Sequence, residues 1–219
     1  KIYEGPGLIA DKAQADILPV RIEGAQYTPF SRLEGKARLR LFPKITLTVL
    51  PPRRFEVAGS GRERRRQISA RLYEVMSDML FATANTERTL FGALLDARTV
   101  HGGSAVAVED VERRPLTYRR LIAASRVLGA RLKACTNPGE YVGVLLPNSS
   151  AVVAAFFGLH AYRRVPAMLN FSTGAANMRL ACQGASIRTV ITSRRFVQLA
   201  RLEETVRVLE ADVRILYLE

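Results

Sequence analysis

The chain has 219 residues, 48% of them hydrophobic, with 33 basic and 20 acidic side chains for a net charge of +13. With mean hydropathy near zero, this excludes a disordered or low-complexity chain and suits one large globular domain or parts of two. A membrane-spanning helix is excluded too: it needs about 20 apolar residues in a row, and Pro147-Asn148-Ser149-Ser150 interrupts the best run, Val142 to Leu159.

Asp11 and Asp16 break the first apolar residues, so the start does not read as a signal peptide. The chain opens on Lys1 rather than Met, which leads to the expectation of sequence upstream. Charge is uneven: residues 1–66 carry 14 basic and 7 acidic groups, a net of +7, and the longer remainder carries +6. Such an excess suits an anionic partner: phospholipid headgroups, an acidic carrier protein, nucleotides or nucleic acid. It also suits an ordinary Arg-rich solvated surface. Cys135 and Cys182 form no Cys-x-x-Cys and have no nearby His, so neither a metal site nor a disulfide is expected. Both read as small, partly buried side chains.

In chain order, Ile17 to Ile22 is a short β-type run, followed by a loop rich in Gly, Pro, Ser and Arg up to Pro43. Ile45 to Leu50 alternates apolar residues with Thr, the period of a strand, and Pro51-Pro52 stops it. After Gly59 to Arg66, the residues Ile68, Leu72, Val75, Met76, Met79 and Leu80 form one helical stripe, expected to pack on the preceding sheet. The composition shifts near Asn85, which places a domain boundary between Ala58 and Arg88. A short helix over Thr89 to Arg98, a strand at Val106 to Val108 and a turn around Glu112 follow.

From Thr117 the alternation is regular. Helices are expected over 117–133, 149–162, 175–183 and 195–209, and strands over 141–146, 165–169, 189–192 and 213–218. Thr117 reads as a helix cap. The order predicts an α/β fold whose second part is a partial doubly wound parallel sheet with helices on both faces.

Catalytic constellations are not evident. His101 and His160 stand alone in settings that favour structural roles, and no Gly-x-Ser-x-Gly elbow, Gly-x-Gly-x-x-Gly fingerprint or Walker-type lysine loop occurs. The pairs Glu109-Asp110 and Glu203-Glu204 read as surface charge. No residue is assigned as catalytic and none as a metal ligand.

Two resemblances add to this. Leu116-Thr117-Tyr118, Pro138-Gly139, Leu145-Leu146-Pro147-Asn148-Ser149 and Val165 to Asn170 resemble the first portion of the N-terminal domain of adenylate-forming ligases. That family grips ATP phosphates with a Ser/Thr/Gly-rich lysine loop, which has no match here. Lys1 to Gly7, Leu18 to Gly24, Arg40 to Pro43 and Ile45 to Pro52 resemble the end of glycerolipid acyltransferases. Those enzymes use a His-x-x-x-x-Asp pair. The fifth residues after His101 and His160 are Val106 and Val165, so the pair is absent. The resemblance implies that Ile17, Leu18, Pro19 and Val20 line an acyl-substrate site. A buried core strand is the plainer reading of those four.

Both resemblances in this order, with the phrases Arg21 to Lys36 and Arg119 to Leu132, resemble the bacterial bifunctional acyl-ACP synthetase/2-acylglycerophosphoethanolamine acyltransferases. The implied organisation is the C-terminal part of an acyltransferase α/β domain over 1–58, a helix and linker over 59–88, and the start of an AMP-binding ligase domain over 89–219. The implied partners are acyl carrier protein, lysophospholipid, fatty acid and the anionic cytoplasmic face of the bacterial inner membrane, with no nucleic acid. ATP and Mg serve the whole ligase, and no cofactor is expected in this stretch alone. The expectation is of an inactive fragment, with Phe-Pro-Glu-Gly shortly before Lys1, a lysine loop soon after Glu219, and an unpaired sheet edge prone to association. The alternative is a basic binding module for an anionic membrane or nucleic acid, for which Arg64-Arg65-Arg66 is the best support.

Overall fold

The computed structural model describes residues 4–31, 39–110, 113 and 115–219. The turn expected around Glu112, the residue Arg114, and residues 1–3 and 32–38 of the acyltransferase-like phrases lie outside the described residues. The chain divides into two compact units, Lys1–Glu87 and Arg88–Glu219.

The first unit opens with a helix the sequence did not announce, α1 (Glu4–Lys12). Its Gly-Pro-Gly start hides it, yet proline is tolerated in a first turn, where its missing N–H has no intrahelical partner anyway. Strand β1 (Val20–Glu23) pairs antiparallel with β2 (Thr46–Val49), Val20 opposite Val49 and Ile22 opposite Leu47. An isolated bridge joins Ile17 to Arg53. Helix α2 (Gly61–Ala82) buries Ile68 and Leu72 against Phe55, with Leu8 of α1, Ile17 and Val57 packed around them. The stripe thus meets chiefly α1 and the Phe55 segment rather than a sheet. Toward its far end Met79 is buried beside Pro19, Leu50 and Pro51, while Met76 is 37% and Leu80 55% exposed. At about 1.5 Å per residue, α2 runs roughly 33 Å and α1 only about 14 Å, so the shorter helix cannot shield the longer one.

Arg64 ties α2 to α1. Its Nε and Nη2 donate to the two Asp11 carboxylate oxygens at 2.9 and 2.7 Å, and Nη1 donates to the Val57 carbonyl at 2.7 Å. The hydrogen bond from Arg64 holds Asp11 below the usual carboxylate range, against the opposing effect of burial. One member of the arginine run is therefore committed to structure.

The second unit is the doubly wound sheet. Helix α3 (Leu90–His101) is capped by Thr89, whose hydroxyl accepts from Gly92 N–H at 3.0 Å. Strands β3 (Val106–Val108) and β4 (Leu116–Thr117) pair antiparallel before α4 (Tyr118–Lys133). Two residues cannot display a strand period, so β4 was not legible; Thr117 belongs to it and caps α4 as expected. Then come β5 (Tyr141–Val144), α5 (Ser150–Ala161), β6 (Val165–Met168), α6 (Ala175–Gly184), β7 (Thr189–Thr192), α7 (Arg194–Leu199), α8 (Glu203–Glu210) and β8 (Arg214–Tyr217).

All four of these strands are parallel, in the order β6-β5-β7-β8. Alternate side chains feed two cores. Val142, Val144 and Ile191 pack with Leu132 of α4 and Ala155 and Leu159 of α5. Leu145 and Val190 pack with Met178 and Cys182 of α6, Val197 of α7 and Val206 of α8.

The single helix expected over 195–209 is two helices. Arg201 adopts φ 54°, and α7 and α8 separate around it. In one unbroken helix Val197 and Val206 would lie about 900°, roughly two and a half turns, apart and so face opposite ways. The break lets Phe196, Val197, Leu202, Val206 and Leu209 all enter one core. Glu203 and Glu204 fall in the first turn of α8, where the helix dipole favours negative charge.

The Ser125 hydroxyl on α4 is fully buried with no hydrogen-bond partner among the described residues. A stranded buried hydroxyl costs about 1–3 kcal/mol. Ser125→Ala is therefore expected to raise the stability of this unit by about 1 kcal/mol in denaturant unfolding; a loss of stability would show that the hydroxyl is satisfied.

Candidate functional site

In an open parallel sheet, the chain leaving one strand turns one way and the chain leaving its neighbour turns the other. The carboxyl ends of those two strands then splay their loops apart and leave a crevice where ligands bind. Here β5 leads through α5 to β6, while β7, beside β5 on its other side, leads through α7 and α8 to β8. At that point lies a crevice of about 580 Å³. The loop after β5 supplies Leu146, Pro147, Asn148 and Ser149, the segment after β7 supplies Ser193, Arg195 and Phe196, and Leu218 and Glu219 follow β8.

The electrostatics of the crevice are set by two carboxylates. Asp110 Oδ2 accepts from the Ser150 N–H at 3.0 Å and so occupies the N-terminus of α5, where Ser149 makes no side-chain cap. Glu219 Oε1 accepts from the Ser193 hydroxyl at 2.7 Å and from the Arg195 N–H at 3.5 Å. The Ser193 hydrogen bond leads the causes that hold Glu219 below the usual range; burial opposes it and backbone N–H groups reinforce it. Thr192, buried beneath, donates to the Leu145 carbonyl at 2.8 Å and locks β7 to β5. The Ser150 N–H, the Ser193 hydroxyl and the Arg195 N–H are thus answered by protein carboxylates, and Arg195 is the basic side chain on the wall. These described residues do not fit ATP phosphates, and no group of three or more metal-ligating side chains occurs among them. The walls of Leu146, Pro147, Phe196, Leu199, Ala200 and Leu218 suit an apolar group.

Leu145 to Ser149 was the sequence's pointer to this region. Asp110, Ser193, Phe196 and Glu219 have no such pointer, and Asp110, whose sequence setting reads as surface charge, lies on the crevice wall. The one signal available is position: Asp110 follows β3 of the small antiparallel pair, Ser193 and Phe196 follow β7, and Glu219 follows β8.

The acyl-site candidates of the first unit do not share a wall. Ile17 is half-buried near Phe55, and Pro19 lines a small cavity of about 70 Å³ with Leu50, Pro51, Val75 and Met79. Leu18 and Val20 are exposed. Strand alternation separates the pairs, and the four do not form a buried core strand. The histidines sit against aromatic rings: His160 meets Phe156 edge-on at 4.7 Å with burial lowering its pKa, and His101 stacks on Tyr118 at 5.8 Å. Cys182 is buried, with its pKa raised by burial, whereas Cys135 is exposed rather than partly buried.

Solved structures share this fold. A fatty acyl-CoA synthetase of Mycobacterium tuberculosis superposes with a TM-score of 0.52 at 18% identity, over 61% of this chain and 27% of that one. The N-terminal domain of FACL13 from the same organism gives 0.51 at 18% identity, over 59% and 33%. A long-chain-fatty-acid CoA ligase of Rhodopseudomonas palustris, titled putative, gives 0.50 at 14% identity, over 60% and 33%. The chain therefore spans a third or less of these proteins. No helix among the described residues is long and apolar enough to cross a membrane. The model of the family described as "AMP-binding enzyme" matches residues 95–218, which is more than half of the sequence, and the chain belongs to that family.

Proposed function

We propose that this chain is part of a bifunctional enzyme of bacterial phospholipid turnover. Residues 88–219 form the opening of a domain that ligates fatty acid to acyl carrier protein at the expense of ATP. Residues 4–87 form the end of a domain that acylates a lysophospholipid, 2-acylglycerophosphoethanolamine, at the cytoplasmic face of the inner membrane. The observation that carries the ligase part is the AMP-binding match laid over a parallel four-stranded sheet. The acyltransferase part is supported by the likeness of Leu18 to Gly24 and Ile45 to Pro52 to that family, and the carrier protein and lysolipid by the two likenesses occurring in this order. In the ligase part, the chain's own residues build scaffold and an apolar crevice, while the ATP-gripping loop and Mg site belong to the enzyme as a whole.

Given fatty acid, ATP, Mg and acyl carrier protein, the 219-residue chain is expected to release no pyrophosphate and to load no carrier. With acyl donor and lysolipid it is expected to make no diacyl product. Turnover above background in either assay refutes the reading of this stretch. For the protein encoded by the whole gene, label from fatty acid should appear on acyl carrier protein; its appearance on coenzyme A instead would reject the carrier.

A further inference from the structure

Helix α4 carries five bases and no acid over its 16 residues: Arg119, Arg120, Arg126, Arg131 and Lys133. All five are exposed. The helical period sets them on the side away from Leu121, Ile122, Ser125, Gly129 and Leu132, which are buried. Between the rows of bases stands Val127, 66% exposed, with Ala123 and Ala130 one turn before and after it. Arg126 lies 5.9 Å over the Phe91 ring and Lys133 5.8 Å over the Tyr162 ring. Neither contact cancels a charge. The ion pairs of this unit join Arg88 to Asp96, Arg179 to Asp212 and Arg207 to Glu204, so among the described residues none of the five has an acidic partner. Helix α5, packed against α4, has no acid either.

This face has a direction. The Tyr118 N–H donates to the Ala105 carbonyl at 3.0 Å, which ties the start of α4 to the β3 arm that carries Asp110 to the crevice wall. The other end of α4 lies at Lys133, whose carbonyl accepts from Arg164 just before β6. A partner helix laid along α4, about 24 Å long, therefore has one tip on the crevice side. Charge selects that partner. A second copy would bring the same bases and another +13. An anionic bilayer needs large apolar groups to enter it, and this face offers one Val among Ala. Cover by the rest of the domain would strand five cations unless matching acids came with it, because an unpaired charge resists burial as an apolar group does not. A helix with acids on either side of a narrow apolar seam answers the bases and meets Val127. We propose that the outer face of α4 docks an acidic amphipathic helix of acyl carrier protein, the acyl acceptor of the proposed ligase reaction. The partner's name rests on that reading, and the site on α4 alone.

The test is titration calorimetry of the 219-residue chain with acyl carrier protein. Binding is expected at low salt and should weaken as salt rises. The double variant Arg120→Glu/Arg131→Glu sets like charges across the contact and is expected to lower affinity by roughly tenfold or more. Val127→Trp holds the two helices apart and should lower it by roughly fivefold or more. Far-UV circular dichroism should not change, because these side chains are exposed. The control Arg62→Glu/Arg65→Glu makes the same change of charge at exposed positions of α2 and should bind as the parent does. In the protein encoded by the whole gene, Arg120→Glu/Arg131→Glu is expected to raise the KM for the carrier by roughly tenfold, with a smaller change in kcat. The proposal is overturned by no binding, by binding that the α4 variants leave unchanged, or by a control that loses as much affinity as they do. Equally decisive against it would be tighter binding to duplex DNA than to the carrier. So would a Val127→Cys variant of the whole-gene protein whose thiol resists alkylation before any carrier is added. Label passing to coenzyme A while carrier binding still depends on α4 would reject the ligase reading and leave the docking face standing.

Discussion

Replacing Arg164 by Met is expected to destabilise the second unit by about 4 kcal/mol, the sum of several stranded acceptors. Arg164 is only 4% exposed. Its Nε donates to the Thr136 hydroxyl at 2.9 Å and Nη2 to the Lys133 carbonyl at 3.2 Å, with further bonds to the carbonyls of Thr136 and Tyr162. Lys133 closes α4, and Tyr162 caps α5 at its C-terminal end. The guanidinium therefore sits where two helices present their negative dipole ends, and its fork answers carbonyls that would otherwise be stranded. Met matches the length of the stem and supplies no donor. Each buried acceptor left alone costs about 1–3 kcal/mol, less where water reaches it. Lys keeps the charge but not the fork, so Arg164→Lys should fall between the two. The check is denaturant unfolding followed by far-UV circular dichroism, since the chain has no Trp. A midpoint for Arg164→Met within about 1 kcal/mol of the parent would show that the carbonyls find water instead.

The second large effect is expected at Gly158, where two opposing terms must be weighed. Ala in a helix interior is favoured over Gly by about 1 kcal/mol. Against that, a Cβ on Gly158 would lie 2.7 Å from the Ser125 carbonyl oxygen and 3.2 Å from Gly129 N. Both are backbone atoms of α4, so no side chain can swing aside. From the other side, a Cβ on Gly129 would meet the Tyr162 ring at 2.6 Å. The two helices cross backbone to backbone, and an added methyl must push them apart along their shared core. Overpacking costs about 1–3 kcal/mol, and more when the obstacle is rigid. The clash outweighs the propensity, and Gly158→Ala is expected to lose about 2 kcal/mol net. Gly184→Ala is the control: nothing lies within 4 Å of its Cβ, and it should be neutral or slightly stabilising. Equal stability for Gly158→Ala and the parent would mean that α4 and α5 slide apart freely.

Neither residue announced itself. Arg163 and Arg164 are neighbours in one Tyr-Arg-Arg-Val run, yet Arg163 is exposed at φ 66° and Arg164 is buried. The step from one to the next is decided by where the α5 end meets the α4 end. Gly158 reads as one small residue in a small-residue helix, and its pairing with Gly129 spans a separation that periodicity cannot see. The same holds for Asp110, 40 residues from the helix it caps. The arginine run at 64–66 looked like a free basic patch until Asp11, 53 residues away, claimed Arg64.

What the sequence determined by itself is what local rules encode. Short apolar strand runs alternating with helical stripes dictate a parallel α/β sheet. Thr117 caps its helix as expected, and the strand expected over 189–192 forms over those same residues. The tertiary structure decided the rest. It broke the helix at Arg201 so that two stripes could reach one core, placed the Asp110 carboxylate on the N-terminus of α5, and turned the apolar face of β1–β2 outward. Each outcome depends on which distant surface competes for a group, and that competition is settled by packing between elements rather than by the pattern within one.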